Sequence, residues 1–403
     1  MNMKDAYIID YIRTPIGSFG GTLAPVRTDD LAVIVLKELL KRNPHVDFTQ
    51  VGDVILGCAN QAGEDNRNVA RMASLMAGLP INVPGETVNR LCASGLSATV
   101  AAARAIMVGD AELAISGGVE NMTRGPWIMS KTSTPYGRDA QLFDSSFGWR
   151  FVNPKMKEQF GVDAMGETAE NLVDRDKVSR EDQDKFSFNS QRKAKAAQER
   201  GRFAKEIVAV EIPGKKGEVK IFDKDEFMKP DTTVEGLGKL KPSFRKEGTV
   251  TAGNAAGLND GAAALLLASS DAVKKYNLKP LAKIVSSGAF GVEPRIMGIG
   301  PVEAANIALK RAGLTWKDID IIELNEAFAA QALAVIRSWG LKDDDERINP
   351  NGGAIALGHP LGMSGARILG SAALELHEKN KRYALVTMCI GVGQGYAVII
   401  EKA

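Results

Sequence analysis

The stretch SGLSATVAAARA (94–105), continued by AELAISGG (111–118), decides the fold of this 403-residue chain. Apolar residues recur at helical spacing in the first part, and the second is a short apolar strand that ends in glycine. The same pattern returns in SGARILGSAALEL (364–376) and YALVTMCIG (383–391). We therefore predict a duplicated α/β unit, in which helix and strand alternate along a mostly parallel sheet covered by helices.

Regular alternation of strands and helices surrounds both copies, but the block between them has a different texture. The strands DAYIID (5–10) and DVILG (53–57) belong to the first regular region. The middle block is rich in turns and contains a polar helix that opens at Ser179, with Asp182 three residues later as a capping box. The charged segment 215–227 predicts a hairpin. We interpret this block as an insertion.

The predicted domain boundaries lie where the regular alternation of strands and helices stops and resumes. An N-terminal half comprises residues 1–121 plus 249–272, and a C-terminal half comprises residues 273–403. The insertion between them, residues 122–248, forms a separate loop domain.

Composition excludes several classes of function. The formal net charge of +2 is too small to indicate binding to nucleic acid or to a membrane surface. Acidic residues interrupt the start of the chain, where a signal peptide needs an apolar core, and the apolar run 261–270 is too short for a membrane span. The three cysteines are widely spaced, which argues against disulfides and against zinc and favours the cytoplasm.

Cys92 is the first candidate for chemistry, because it precedes a predicted helix. Unpaired amide groups at a helix N-terminus stabilise negative charge, so we expect a thiol there to have a lowered pKa. The small neighbours Ala93, Ser94 and Gly95 leave room for an acyl group to approach the sulfur. The alternative is that Cys92 is a small buried apolar residue, as free cysteines often are.

Three further residues lie where active-site groups often lie. His359 is bracketed by glycines and Pro360 just before a helix, which favours a catalytic over a structural histidine, whereas His45 and His377 lie in ordinary helix-end positions. Cys389 ends an apolar strand before a glycine-rich turn. Asn325 ends another strand, where it either caps the next helix or holds a water.

The motifs around these residues, in their order along the chain, resemble those of the thiolases over essentially its whole length. The segments that carry the resemblance are NRLCASG (89–95), TAGNAAGLNDGAAA (251–264), NEAFA (325–329), GGAIALGHPLGMSGAR (352–367) and CIGVGQG (389–395). It implies an α/β fold with duplicated βαβαβαββ halves, a five-layered α-β-α-β-α core with a mixed sheet in each half, and an inserted loop domain.

The resemblance also implies a role for each candidate. Cys92 accepts the acyl group as a thioester, His359 helps to deprotonate Cys92, and Cys389 is the acid/base at the α-carbon of acetyl-CoA. Asn325 holds a water that forms one oxyanion hole with His359. The backbone N–H groups of Cys92 and Gly391 form the other.

For coenzyme A, the resemblance implies a tunnel in which CoA binds as a substrate. No metal and no other cofactor is implied, and the expected assembly is a homodimer or homotetramer. The residues expected to line the tunnel are Met165, Lys229, Phe244, Ala252, Ala256 and Phe328. Ala256 stands where many thiolases have serine, and Lys229 where some have arginine, so it meets a phosphate as a point charge.

Three segments favour a particular substrate, 3-oxoadipyl-CoA, because they resemble the thiolases of aromatic catabolism. They are residues 58–73, residues 148–156 and the valine in CIGVGQG. The alternative substrates are acetoacetyl-CoA and medium-chain 3-oxoacyl-CoA. A decarboxylating condensing enzyme and an inactive CoA- or lipid-binding relative are less favoured readings. Three cations are candidates to bind the far-end carboxylate: Arg67, Arg150 and Lys155.

Overall fold

The computed structural model describes residues 4–60, 62–214 and 217–403 of the chain. Most of its strands join one ten-stranded sheet, in the order β12-β13-β14-β11-β1-β10-β5-β3-β4, with β2 beside β10. These strands are β1 (Ala6–Arg13), β2 (Gly17–Ser18), β3 (Val51–Gly57), β4 (Gly85–Val88), β5 (Leu113–Asn121), β10 (Asn259–Ser269), β11 (Ala282–Gly291), β12 (Ile321–Leu324), β13 (Tyr383–Ile390) and β14 (Gln394–Lys402).

The duplication predicted from the sequence is confirmed by the pairing of these strands. In the first half, β1 is antiparallel to β10, β10 is antiparallel to β5, and β5 is parallel to β3. In the second half, β11 is antiparallel to β14, β14 is antiparallel to β13, and β13 is parallel to β12. The two halves meet where Tyr7 and Ile8 pair with Lys283 and Ala282.

The expectation of a mostly parallel sheet was wrong, since antiparallel pairs outnumber parallel ones. Strand β14 returns directly after β13 through a short glycine-rich turn, so the two must be antiparallel. Strand β10 enters after the inserted block and also runs antiparallel to all three strands that pair with it, β1, β2 and β5. The mixed sheet implied by the resemblance is the correct description.

Three layers of helices alternate with the two halves of the sheet, and together they give the five-layered core. The central layer is α3 (Ser94–Val108) and α12 (Leu361–Glu378), packed between the inward faces of both halves. One outer layer is α1 (Thr28–Arg42), α2 (Val69–Ala77) and α8 (Ser270–Lys275), and the other contains α9 (Pro301–Ala312) and α10 (Ala329–Ser338).

Helix α3 corrects one expectation drawn from composition. The stretch Leu91–Val108 is long and apolar enough to span a membrane by length and composition alone, although no apolar run seemed long enough. In the fold it is a core helix, because its side chains pack against α12 and both halves of the sheet.

In the part of the inserted block that the structure describes there are four α-helices and two hairpins. They are α4 (Pro154–Phe160), α5 (Met165–Asp176), α6 (Arg180–Glu199), α7 (Val234–Gly238), the pair β6 (Trp127–Met129) and β7 (Leu142–Asp144), and the pair β8 (Val210–Pro213) and β9 (Val219–Phe222). Helix α11 (Ala354–Leu357) precedes the loop that carries His359. The predicted charged hairpin therefore lies over 210–222, and Lys215 and Lys216 fall outside the described residues.

The predicted capping box of α6 is half formed. Ser179 Oγ accepts from the Asp182 backbone N–H at 3.0 Å, so the helix begins where predicted. The Asp182 carboxylate instead accepts from Arg337 on α10 at 2.7 Å. A tertiary ion pair thus replaces the local contact, and it ties α6 to the outer layer.

A buried network of charges joins the insertion to both halves. Arg13 on β1 donates to Asp225 and Glu206, both in the insertion. Arg202, also in the insertion, donates to Glu206 and to Glu375 on α12. All five side chains are nearly inaccessible to solvent.

Candidate active site

Cys92 lies in a tight turn, Leu91–Ala93, directly before α3. Leu91 has a φ of 47°, a left-handed conformation that costs energy for a residue with a branched side chain. Ser94 stabilises the turn, because its hydroxyl accepts from Arg90 N at 2.9 Å and donates to Leu91 O at 2.7 Å. The turn contacts α12, which begins just after His359, and β13, which bears Cys389.

The small residues after Cys92 were expected to leave room for an acyl group, but in the structure they allow two helices to pack closely. They are buried rather than open to an approaching acyl group. A Cβ on Gly95 would lie 2.5 Å from Gly362 O and 2.9 Å from Ala366 N, both on α12. Because the residues after Cys92 have small side chains, α3 and α12 cross closely. This crossing brings the turn that carries Cys92 against the segment that carries His359.

The expected lowering of the Cys92 pKa was wrong. Burial raises the pKa of the Cys92 thiol from 9.0 to about 11, and a hydrogen bond from the Gly391 backbone N–H only partly opposes this. The loss of hydration outweighs the amides near the start of α3. Cys92 is therefore a thiol at neutral pH until a base removes its proton.

His359 is held so that one ring nitrogen is unprotonated and can be that base. Its backbone N–H donates to Asn259 Oδ1 at 2.8 Å, and its Nδ1 lies 2.6 Å from Ser364 Oγ. Because the Ser364 hydroxyl already donates to Pro360 O at 2.9 Å, it accepts from His359. The proton therefore lies on Nδ1, and Nε2 presents a lone pair.

Burial keeps this imidazole neutral. It lowers the pKa of His359 from 6.5 to about 3, with a further contribution from the Arg367 guanidinium. The ring is therefore unprotonated throughout the physiological pH range, and the lone pair of Nε2 is present. A neutral imidazole with its proton on Nδ1 has the protonation state that a general base requires.

Asn325 faces the same ring nitrogen. It follows β12, where its backbone N–H donates to Thr387 O on β13 at 3.0 Å. Its Nδ2 lies 3.4 Å from His359 Nε2, and its Oδ1 is buried without a hydrogen-bond partner among the described residues. The side chain does not cap α10, whose N-cap residue is Phe328. Of the two readings left open by the sequence, the cap is wrong.

Cys389 lies near the end of β13 and is 1% exposed. Burial raises the pKa of its thiol well above the ordinary value, and the neighbouring Cys92 raises it further. Two residues later, Gly391 donates its N–H to Cys92. The structure thus brings the two thiols and the Gly391 amide together, and it pairs His359 with Asn325. The two groups lie on adjoining elements, because the Cys92 turn contacts α12, which begins just after His359, and β12, which precedes Asn325, pairs with β13.

Most residues predicted to contact CoA lie near Cys389 and Gly391, where they form a wall. Phe328 packs with Cys389, and its ring meets that of Phe244 edge-on at 6.1 Å. Met165 lies against Gly391. The backbone N–H of Ala256 donates to Ala327 O at 3.0 Å, beside Phe328.

The remaining predicted contacts are less closely associated with the wall. Ala252 is exposed, near the start of the same segment as Ala256. Lys229 is exposed, and its backbone N–H donates to Gln191. Of the cations considered for a distal carboxylate, Arg67 and Lys155 are exposed, and Arg150 donates to Ser145 O at 3.3 Å.

Two buried acids that the sequence did not single out hold the catalytic loops together. Glu120, at the end of β5, accepts from the backbone N–H groups of Ala59, Asn60 and Gly362 at 2.9–3.0 Å. It fixes the start of α12 to the first half. Glu326, beside Asn325, accepts from Ser190 and Asn349. Their positions at the ends of strands were the available signal.

The other histidines lie elsewhere, since His45 and His377 are exposed and His377 contacts Leu281 O. Within the described ranges, no group of three or more His, Cys, Asp or Glu side chains could hold a metal ion.

Comparison with known proteins places these residues in context. Residues 6–271 match the family model described as "Thiolase, N-terminal domain", and residues 278–402 match "Thiolase, C-terminal domain". The 3-oxoadipyl-CoA/3-oxo-5,6-dehydrosuberyl-CoA thiolase of Escherichia coli K12 is 59% identical over 99% of this chain and 100% of its own length. A beta-ketoadipyl-CoA thiolase of Acinetobacter baylyi is 58% identical, with the same coverage.

A solved structure extends the comparison to the fold. Human mitochondrial 3-ketoacyl-CoA thiolase, crystallised in complex with CoA, superposes with a TM-score of 0.91 at 42% identity. The match covers 100% of this chain and 99% of the human one.

Proposed function

Because the chain belongs to the thiolase family of acyltransferases, we propose that it cleaves 3-oxoadipyl-CoA with CoA to give succinyl-CoA and acetyl-CoA. The observation that supports this proposal is a pair of neighbouring thiols, Cys92 and Cys389, beside the helix whose start carries a buried imidazole with an unprotonated Nε2. Such a site supplies a nucleophile, its base and a separate proton donor, which are the three groups that a thiolytic cleavage requires.

The first half-reaction breaks the carbon–carbon bond. His359 Nε2 takes the proton of Cys92 Sγ, and the thiolate attacks C3 of 3-oxoadipyl-CoA. The C2–C3 bond then breaks, its electron pair passes to C2 as the enolate of acetyl-CoA, and the succinyl group stays on Cys92. Cys389 gives its proton to C2, so acetyl-CoA leaves as a neutral thioester and Cys389 is left as a thiolate.

The second half-reaction restores the enzyme. Incoming CoA loses its thiol proton to Cys389, and the CoA thiolate attacks the succinyl thioester. Succinyl-CoA leaves, and the Cys92 thiolate recovers its proton from His359. Two thiols suit the two steps, because one carries the acyl group while the other carries the proton. Run in reverse, the same steps form the bond as a Claisen condensation.

Both half-reactions place negative charge on oxygen. We assign stabilisation of the tetrahedral adduct to the backbone N–H groups of Cys92 and Gly391. His359 and a water held by Asn325 stabilise the enolate. The buried Oδ1 of Asn325, which has no partner among the described residues, supports this role because it can accept a hydrogen bond from that water. One well-placed donor is worth roughly 10²–10³ in rate.

We assign CoA to the wall formed by Met165, Phe244 and Phe328, with Ala252 and Ala256 along the same side. The apolar surface suits the pantetheine arm, and exposed Lys229 suits a phosphate. CoA acts as a substrate, and no further cofactor is part of the proposal.

The choice of 3-oxoadipyl-CoA is supported by the names of the two relatives above and by the three segments quoted from the sequence. Acetoacetyl-CoA and medium-chain 3-oxoacyl-CoA are the alternatives. A decarboxylating condensing enzyme is disfavoured, because it needs a second histidine where this chain has Cys389, and because His45 and His377 are exposed.

We further propose a homodimer or homotetramer in the cytoplasm. Strand β4 is an edge of the ten-stranded sheet, and its neighbour α2 exposes Met72, Leu75 and Met76. Ile81, between α2 and β4, is 82% exposed. An unpaired edge beside an apolar face suits a second copy of the chain.

The test compares kcat/KM for 3-oxoadipyl-CoA, acetoacetyl-CoA and 3-oxohexanoyl-CoA under identical conditions. We expect the first to be the best substrate and, when CoA is withheld, one succinyl group to accumulate on Cys92, detected by peptide mass spectrometry. Cys92→Ala should abolish turnover and labelling. Cys58→Ala, which removes a different buried thiol, should retain both. A clear preference for the uncharged chains would reject the substrate assignment.

A further inference from the structure

A buried polar stripe follows one face of α12 away from the proposed site. Its members recur every three or four residues along the helix, and they are Ser364, Arg367, Ser371 and Glu375. At one end, Ser364 holds the His359 ring. At the other end, Ser371 and Glu375 bind the buried charges of the insertion. Arg367 lies between these two ends and is part of neither contact.

Arg367 faces the strand that leads to Asn325. Side chains alternate across β12, and Ile321 packs in the central layer, so Glu323 and Asn325 also face α12. Glu323 Oε2 lies 3.9 Å from Arg367 Nη1. Asn325 Nδ2 lies 3.4 Å from His359 Nε2. Because two residues of a strand span roughly 7 Å, the contact with Arg367 lies that far behind the His359–Asn325 pair.

The positive charge of Arg367 is not neutralised by a bonded partner. The side chain is 2% exposed, and neither Nε nor Nη2 has a hydrogen-bond partner among the described residues. The 3.9 Å contact with Glu323 is too long for a hydrogen bond. Burial raises the pKa of Glu323 to about 8, although the Arg367 guanidinium opposes that rise, so the carboxyl is mostly neutral at pH 7. At that pH Arg367 is a buried cation beside a neutral acid.

The other ionisable groups that influence Glu323 or Arg367 are neutral or paired. They are Tyr11, Arg202, Glu206 and Glu375. Tyr11 is neutral, because burial raises the pKa of its hydroxyl, and the other three are bonded to one another. Arg367, by contrast, acts on His359, because its charge adds to burial in lowering the pKa of the imidazole.

We propose that Arg367 is a positioning residue whose charge, set behind the His359–Asn325 pair, strengthens the hydrogen bonds to the enolate oxygen; this inference rests on the proposed function. A cation beside a protonated His359 makes the Nε2–H group a stronger donor, and it attracts the negative charge that develops on the oxygen. The same cation makes neutral His359 a weaker base towards Cys92. Arg367 therefore favours cleavage of the carbon–carbon bond but does not favour formation of the Cys92 thiolate.

The test follows two partial reactions of the enzyme supplied with succinyl-CoA and acetyl-CoA. In D₂O, Cys389 removes a proton from C2 of acetyl-CoA and returns a deuteron, and this exchange, measured by mass spectrometry, reports enolate formation. Transfer of the succinyl group from succinyl-CoA to isotopically labelled CoA reports only the acylation of Cys92. We expect Arg367→Met to slow the exchange by about 10-fold and not to slow the transfer. Arg367→Lys, which keeps the charge, should restore most of the exchange.

Arg347→Met is the matched control. Arg347 also supports β12, but it donates to Trp316 O and Ile319 O, at the end of the strand opposite Asn325. Its loss should therefore affect both reactions equally. If wild type lacks either reaction, the proposed function is wrong. If wild type shows both, and Arg367→Met slows both equally or neither, only the role of Arg367 is wrong.

Loss of one partner from a buried pair can prevent folding. Should Arg367→Met not fold, the double variant Arg367→Met/Glu323→Gln is compared with Glu323→Gln alone, which keeps the cation. A loss of exchange without a loss of transfer in the double variant would support the proposal. Equal exchange rates in the two variants would overturn it.

Discussion

At the scale of the residue, the proton on His359 is the decisive detail. Ser364 determines where that proton lies, because its hydroxyl can donate only once and does so to Pro360 O. It then accepts from His359 Nδ1 at 2.6 Å, which leaves Nε2 as the base. A serine five positions along the chain thus fixes the chemistry of the imidazole without touching the substrate.

Replacing Ser364 by Ala should therefore lower kcat by about 10- to 100-fold, since the ring loses the partner that fixes its tautomer and orientation. The rate of Cys92 acylation, measured by rapid quench and mass spectrometry, should fall in parallel. Ser338→Ala is the matched control, because Ser338 Oγ makes the same kind of bond, to Ala334 O at 2.7 Å, on α10. Equal rates in the two variants would contradict the positioning role of Ser364.

At the scale of the element, the crossing of α3 and α12 assembles the site. The helices come from different halves, and glycines remove the side chains that would separate them. Gly362 lies against Val119 O and Gly57 O of the sheet as well as against α3. The distance between Cys92 and His359 is therefore set by backbone contact, which leaves little room for adjustment.

Gly95→Ala tests this contact. The new methyl group would lie 2.5 Å from Gly362 O, so the helices must move apart. We expect a loss of about 1–3 kcal/mol in the free energy of unfolding, from urea denaturation, and a larger proportional loss of kcat. Gly238→Ala, where an added Cβ meets nothing within 4 Å, should change neither. Wild-type activity in Gly95→Ala would show that the close crossing is not needed.

At the scale of the whole molecule, the network around Glu206 unites three regions of the chain. Glu206 accepts from Arg13 of the first half at 2.7 Å and from Arg202 at 2.8 Å, and Ser371 of α12 also donates to it. Burial favours the neutral acid, but the two arginines outweigh it and hold the pKa of Glu206 below its ordinary value. The insertion is thus fastened to the core by charge.

Glu206→Gln should lower the free energy of unfolding at pH 7 by about 3–5 kcal/mol, because two buried cations lose a shared counter-charge. The pKa of Glu206 is lower in the folded state, so its contribution is present above pH 4.5 and is lost as the pH falls below that value. The difference between variant and wild type should therefore shrink in acid. Glu211→Gln is the control, because the Glu211 side chain on β8 is exposed. A difference that is independent of pH would contradict this assignment.

Much of the candidate site could be predicted from the sequence, because the patterns that mark its residues are local. Cys92, His359, Cys389 and Asn325 each lie at an element boundary that periodicity and glycine reveal. Glu120 and Asn259 escaped notice because their function is to accept backbone N–H groups from segments that are distant in the chain. No local pattern marks such a partner.

The sequence by itself indicated the candidate residues for the chemistry and showed that the α/β unit occurs twice, because residue type and periodicity are properties of the chain. The tertiary structure alone decided the strand directions and the protonation of the site. Burial reversed the expected pKa of Cys92, and close helix crossing gave Gly95 a packing role. Solvation and steric contact depend on which segments meet, and only the folded chain specifies that.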